Sequence, residues 1–296
     1  MTITAIDHII IATPDVSAAS GPFERLGLTL TPLAGHARLG TENRAMFAGN
    51  LETEFYVELL GIRDRAEAES AEGLSGAALI AALASGTAAF RLMFVSDNLA
   101  TEATRLNVAG IATQLDHVTR EDGTPIADVL RPAAFGAAGC DFAFISYPES
   151  PAERRRRHER SALFAHALPL KRLDHLAVVT PELEKAMAFW VNVLGVPVHG
   201  EVRGRGMIIK QMKIGDAIVE LLGPDSPESP LASRPAGLIS MAAFEVPDLD
   251  AAVETARAKG FSPSTPAAGV LPGTRVATIP PTELSGFALQ LLEYRN

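Results

Sequence analysis

One phrase occurs twice in this chain. Ile6-Asp7-His8-Ile9 is followed by Val57-Glu58-Leu59-Leu60-Gly61, and Leu173-Asp174-His175-Leu176 by Val219-Glu220-Leu221-Leu222-Gly223. The histidine and glutamate stand 50 residues apart in the first copy and 45 in the second. Neither spacing fits one helical turn or one hairpin, so a tertiary fold must bring each pair together. An imidazole and a carboxylate on neighbouring strands are half of a metal site. Two copies of the half-site point to internal duplication rather than coincidence.

A chain of 296 residues is long enough for two such duplicated domains, each with its own core. Its 47% hydrophobic and 21% charged content is that of a globular protein, and a net charge of −9 argues against a nucleic-acid surface. Cys140, the single cysteine, cannot close an internal disulfide, which suits a reducing, cytoplasmic setting. Met1 to Asp7 lacks the basic-then-apolar pattern of a signal peptide. No apolar run reaches the roughly 20 residues needed to cross a bilayer.

Four stretches share a grammar of short apolar strand followed by helix: His8–Ala12 with a helix ending near Gly27, Phe90–Val95 with one to about Gly110, His175–Val179 with one to about Gly195, and Met241–Val246 with one to about Gly260. Thr13, Ser96 and Thr180 are candidate N-caps, and the glycines are helix stops. Alternating segments follow each helix; in the third stretch they are Val196–Val202, Gly206–Ile214 and Ala217–Leu222. The pattern predicts an α+β protein of four βαβββ units paired into two domains, residues 1–150 and 172–296, with 151–171 as a linker. The basic run Arg154–Arg157 reads as a solvated linker helix, and Trp190 with Met187 and Leu194 as core.

This grammar resembles the vicinal oxygen chelate superfamily, which includes glyoxalase I, methylmalonyl-CoA epimerase, extradiol dioxygenases and bleomycin resistance proteins. Residues 173–294 are similar to methylmalonyl-CoA epimerase in Leu173-Asp174-His175-Leu176, Lys213-Ile214-Gly215-Asp216, Val219-Glu220-Leu221-Leu222, Asp225-Ser226-Pro227 and Glu245-Val246-Pro247-Asp248-Leu249-Asp250. Residues 5 to about 170 resemble glyoxalase-like domain proteins in His36-Ala37-Arg38-Leu39-Gly40-Thr41 with Asn43, and in Tyr56 to Ile62. The resemblance implies that each pair of units forms a cup, with the first and last strand of each unit aiming one ligand at a shared divalent metal (Mg, Mn, Co, Ni, Zn or Fe).

Carried over by position, the metal ligands are His8 and Glu58 in the first unit and His175 and Glu220 in the third. The second unit has Phe90 and Ile145 at the ligand positions, and the fourth has Met241 and Gln290. Where epimerases carry a catalytic glutamate, this chain reads Gly204-Arg205-Gly206. Three arrangements follow. Units one and three, within the chain or across a homodimer, could join all four His and Glu ligands. One domain could bind metal with Gln290, His36 or His117 completing the set. Or the dyads could be the polar floor of a metal-free cup.

Other residues point to the cup. His36 and Asn43 flank a turn and are candidates for contacting a substrate carbonyl, with His36 or Glu58 as acid–base. Tyr56 lies on the face of Glu58 by strand alternation. Phe90 and Met241 would make the cup greasier. His117, beside the turn Arg120-Glu121-Asp122-Gly123, and Arg205, near the acyl end of an epimerase-like site, are further substrate-binding candidates. His158, His166 and His199 read as linker or surface residues. The expected function is a small-molecule isomerase or lyase working through an enolate. The alternatives are an extradiol dioxygenase, which needs two histidines and a carboxylate around Fe(II), and a binding or resistance protein with an apolar cup.

Overall fold

The computed structural model describes residues 2–36, 38–49, 54–70, 76–86, 88–120, 122–135 and 137–295. Ala37 and Glu121, both within motifs quoted above, lie outside them. Unit one runs β1 (Ile3–Ala12), α1 (Val16–Leu26), β2 (Ala34–His36), β3 (Thr41–Ala48) and β4 (Phe55–Ile62). Two helices, α2 (Arg65–Ser70) and α3 (Gly76–Ser85), lead to unit two: β5 (Ala89–Ser96), α4 (Leu99–Val108), β6 (Thr113–Thr119), β7 (Pro125–Pro132) and β8 (Phe142–Ser146). Helix α5 (Pro151–Arg160) precedes unit three: β9 (Arg172–Val179), α6 (Leu183–Asn192), β10 (Val198–Gly204), β11 (Met207–Ile214) and β12 (Ala217–Pro224). Unit four is β13 (Gly237–Glu245), α7 (Leu249–Ala258), β14 (Ala267–Ala268), β15 (Thr274–Ile279) and β16 (Ala288–Tyr294).

The strands form two eight-stranded sheets of identical plan, β2-β3-β4-β1-β5-β8-β7-β6 and β10-β11-β12-β9-β13-β16-β15-β14. Unit one therefore pairs with unit two, and unit three with unit four. Within the chain His8 and Glu58 share one sheet while His175 and Glu220 share the other. The four-ligand alternative with units one and three facing each other within the chain does not form, because the antiparallel pairs β1–β5 and β9–β13 join unit one to unit two and unit three to unit four.

The helices are capped two residues later than the sequence suggested. Asp15, Asn98 and Asp248 accept from Ala18, Thr101 and Ala251 N–H, each at 2.9 Å. Glu182 holds the same place before α6 without a side-chain cap bond. Thr13 and Ser96 act one step earlier, accepting from the Asp15 and Asn98 N–H groups. The glycine that ends each repeated phrase has a packing cause: a Cβ on Gly61 would come 2.8 Å from Val16 Cγ2, and one on Gly223 2.6 Å from Leu183 Cβ. Glycine lets the first turn of each helix sit directly on the strand.

Apolar residues on the helix-packed faces of both sheets merge into one core. Trp190 of α6 is fully buried there, meets Phe94 of β5 edge-on at 5.8 Å and donates to the Ala138 carbonyl at 3.0 Å. Phe55 packs on Phe244 and Phe23 on Phe287 across the same join. The opposite faces keep separate clusters, Ile10, Phe90, Met93, Val129 and Ile145 in the first sheet and Ala177, Val179, Ile209, Leu222 and Leu231 in the second.

The basic segment is not the solvated helix its composition suggested. Arg154 and His158, four residues apart on α5, fall on one helix face and are buried at 8% and 6% exposure. Glu54 receives both, from Arg154 Nε at 3.0 Å and His158 Nδ1 at 3.1 Å. His166 is likewise engaged, accepting from Thr29 N–H at 2.9 Å and facing the Phe47 carbonyl at 2.6 Å. Among the described residues no helix is long and apolar enough to cross a membrane.

Candidate functional site in the first cup

Strands β1 and β4 run parallel with His8 opposite Tyr56 and Ile10 opposite Glu58. His8 and Glu58 thus stand two residues apart on one face, the closest diagonal the ladder offers. His8 Nε2 faces Glu58 Oε2 at 3.4 Å, and Nδ1 donates to Asp7 Oδ2 at 2.7 Å. Asn43 of β3 donates to Glu58 Oε1. Tyr56 stacks on His8 with centroids 4.2 Å apart. His36, on the edge strand β2, shares a 2.9 Å hydrogen bond with Thr41 Oγ1 through Nδ1 and lines the cup. His8, His36, Thr41, Asn43, Tyr56 and Glu58, with Phe90, Arg91, Met93, Ile145 and Tyr147, line a cavity of about 1170 Å³, larger than most small-molecule sites; Asp7 lies behind His8, fully buried.

Burial and neighbours drive the two cup histidines apart. Burial opposes a charge on His8, but hydrogen bonds to Asp7 and Glu58 and their negative charges lift its pKa above the ordinary imidazole value. Burial lowers that of His36, and the nearby Arg63 and His8 charges work in the same direction against Glu58. Glu58 is held below the usual carboxylate range despite burial, by its hydrogen bond to His8 and the charges of His8 and His36. These shifts favour the charged form of His8, the ionised form of Glu58 and the neutral form of His36. Burial keeps the Tyr56 and Tyr147 hydroxyls protonated.

The second cup repeats the pattern more loosely. His175 Nε2 lies 4.0 Å from Glu220 Oε2, and Gln211 donates weakly to Glu220 at 3.4 Å. Gln290 is turned to Thr278 Oγ1 at 3.4 Å. Met241 stands on β13 in register with Ala288, outside the lining of the first cavity.

One expected contact does not reach the first cup, and Arg205 belongs to the second domain. His117 is 70% exposed and pairs with Asp128 at 2.6 Å, because alternation along β6 turns Val118 to the cavity instead. Arg205 is exposed in the β10–β11 turn at φ 55°. Phe90 lines the cavity, but it does not occupy the second unit's ligand position. Counting back seven residues from the caps Asp15, Asn98, Glu182 and Asp248 lands on His8, Arg91, His175 and Met241. Arg91 is the counterpart of His8, in bidentate contact with Asp141 at 2.7 and 2.9 Å. The cap count could have found it; a β-bulge between Ile10 and Ile11 had hidden the offset.

Arg91 also decides how the cup treats a metal ion. Protein sites for divalent ions take three or more donors. Here His8 and Glu58 supply two and already bind each other, while the opposite half-site presents a guanidinium. Among the described residues no three His, Cys, Asp or Glu side chains are grouped to hold a metal. The donor set does not fit a resident divalent ion.

Two eight-stranded cups, each built from a pair of βαβββ units with a His–Glu dyad on one half, define a protein of the vicinal oxygen chelate fold. Residues 6–163 match the family model described as glyoxalase-like domain, and 174–278 match that of the glyoxalase/bleomycin resistance protein/dioxygenase superfamily; the chain belongs to this superfamily. It is 34% identical over 134 residues to mitochondrial methylmalonyl-CoA epimerase of Bos taurus, spanning 43% of this chain and 76% of that one. In fold it is similar to a hypothetical protein from Staphylococcus aureus (TM-score 0.66, 11% identity, 97% of this chain and 98% of that one). A variant of 4-hydroxymandelate synthase from Streptomyces coelicolor shares the fold at TM-score 0.63 and 16% identity, over 99% of this chain and 93% of that one.

Proposed function

We propose that the first cup is the active site of an isomerase or lyase that moves a proton next to a carbonyl group. The observation that carries this reading is the pair of histidines lining one cavity with pKa values driven in opposite directions. Such separation assigns acid and base roles. Neutral His36 takes the proton from the carbon beside the carbonyl. Glu58, held below its ordinary value, is the weaker base and serves to keep His8 charged. The His8–Glu58 contact of 3.4 Å is long for a charge-assisted hydrogen bond, so a substrate oxygen can take the Nε2–H. The second N–H of Asn43 can join it, stabilising the enolate. The proton then returns to carbon in an isomerisation, or a neighbouring group departs in an elimination.

Members of the superfamily commonly use divalent metals, but the donor set argued above gives this cup no such step. The half-site opposite His8 presents Arg91 in place of a second histidine ligand, which removes the main support for an extradiol dioxygenase. A non-catalytic binding protein is the second reading, favoured by the apolar wall of Ile10, Leu60, Phe90, Met93, Val129 and Ile145.

The test is deuterium uptake from solvent at the α-carbon of aryl ketones, 2-oxo acids and acyl thioesters, followed by NMR. Uptake catalysed by the protein and lost in His36→Gln supports the enzyme. Tight binding of these probes with no uptake above the buffer rate leaves the binder.

A further inference from the structure

We infer that Arg154, on the helix between the two domains, is a positioning residue for His8 and acts through Asp7. The inference rests on the reading of His8 as the cup's acid, but it is carried by separate contacts. Asp7 is fully buried and its two oxygens are held from three sides. Oδ2 accepts from His8 Nδ1 and from Tyr147 Oη, each at 2.7 Å. Oδ1 accepts from Arg154 Nη2 at 3.3 Å. The Arg154 guanidinium lies 3.8 Å over the Tyr147 ring, and its Nε binds Glu54. One planar fork therefore sets the carboxylate and the tyrosine that together aim His8, a geometry that lysine cannot reproduce in full.

The second domain repeats the device. Tyr294 Oη donates to Asp174 Oδ2 at 2.7 Å, His175 Nδ1 to Oδ1 at 2.8 Å, and Arg172 Nη2 reaches Asp174 at 3.4 Å. In both domains a tyrosine at the end of the last strand and an arginine grip the aspartate that precedes the histidine; Arg172 comes from the start of β9 itself. The arginine of the first domain comes from α5, at the position where composition suggested only a linker. A carboxylate holding the far nitrogen of an imidazole fixes its ring orientation and tautomer. The other groups around the dyad are Glu54, Tyr56 and Glu58 from the β4 side, His36 from β2 and Asn43 from β3.

The experiment is NMR of the full chain labelled with ¹⁵N-histidine, reading the His8 Nδ1–H resonance and its exchange with solvent. Arg154→Met should speed that exchange at least about tenfold, the loss expected for one hydrogen bond to a charged group. Arg154→Lys should restore part of it. Arg172→Met should move the His175 resonance and leave that of His8. Should Arg154→Met not fold, Arg154→Lys and Tyr147→Phe carry the test, each with a smaller increase expected. Unchanged His8 exchange in every folded variant would overturn the inference. The readout needs no turnover, so a responsive His8 in a protein that exchanges no probe refutes the acid–base reading alone.

Discussion

Replacing Arg91 tests what the second half of the first cup has become. Arg91 is 4% exposed and pairs with Asp141, whose side chain is 12% exposed. Burial outweighs the Arg91 charge and holds the Asp141 carboxyl above its ordinary value, so the pair is maintained against its desolvation. Removing one member of a buried pair costs about 3–5 kcal/mol, whereas replacing both with apolar side chains is often neutral or better. Arg91→Met should therefore lower the urea midpoint by about 1–2 M, given typical slopes. The double variant Arg91→Met with Asp141→Leu should recover most of that loss. The sign of the pH effect follows from the raised carboxyl. A group with a raised native pKa favours the fold below its unfolded pKa and loses that contribution as pH rises through the native value. Without Arg91 the penalty for ionised Asp141 grows, so Arg91→Met should lie nearest to wild type in mild acid and furthest from it at neutral pH. The measurement is urea unfolding by circular dichroism at pH 4.5 and 7.5. Equal losses in the single and double variants, or a single-variant deficit that does not shrink in acid, would refute the reasoning.

Three further outcomes are expected. In a histidine NMR titration His8 should titrate above and His36 below the ordinary imidazole value. Because the His8 value is raised, its contribution to stability should be full below the unfolded pKa and decline as pH rises through the folded one; the reverse order of the two histidines would sink the acid–base assignment. Trp190→Phe leaves the Ala138 carbonyl buried without its donor and should cost about 1–3 kcal/mol, and a loss under about 0.5 kcal/mol in urea unfolding would show that this contact does not tie the domains. Elemental analysis after incubation with divalent ions should find well under one equivalent of metal; one full equivalent that disappears in His8→Ala would mean that the cup completes a ligand set.

The architecture was legible because duplication wrote it redundantly. Alternating strands and helix stops fall at matching places in all four units, the His–Glu phrase recurs in units one and three, and strand alternation put Tyr56, Glu58 and His8 on one face. Pairing was not legible, since no local pattern says whether β1 finds β5 or β9. Arg91 was missed because a bulge shifts one residue in β5, and the nearby Phe90 looked like the expected position. Arg154 was missed for a different reason. A run of four arginines reads as solvated by composition, and only the position of Glu54 and Asp7 in space makes one of them worth burying.

The common core has a consequence for how the two halves behave. Trp190, Phe94, Phe55 and Phe244 belong to both domains at once, so neither half can melt without exposing surface from the other. A molecule bound in the first cup at a hundred times its dissociation constant adds about 2.7 kcal/mol to the native state. With a shared core, that increment protects the second cup too. Amide exchange in β9 and β12 should slow when a ligand fills a cavity that neither strand touches, which makes the distant domain a reporter for occupancy of the near one.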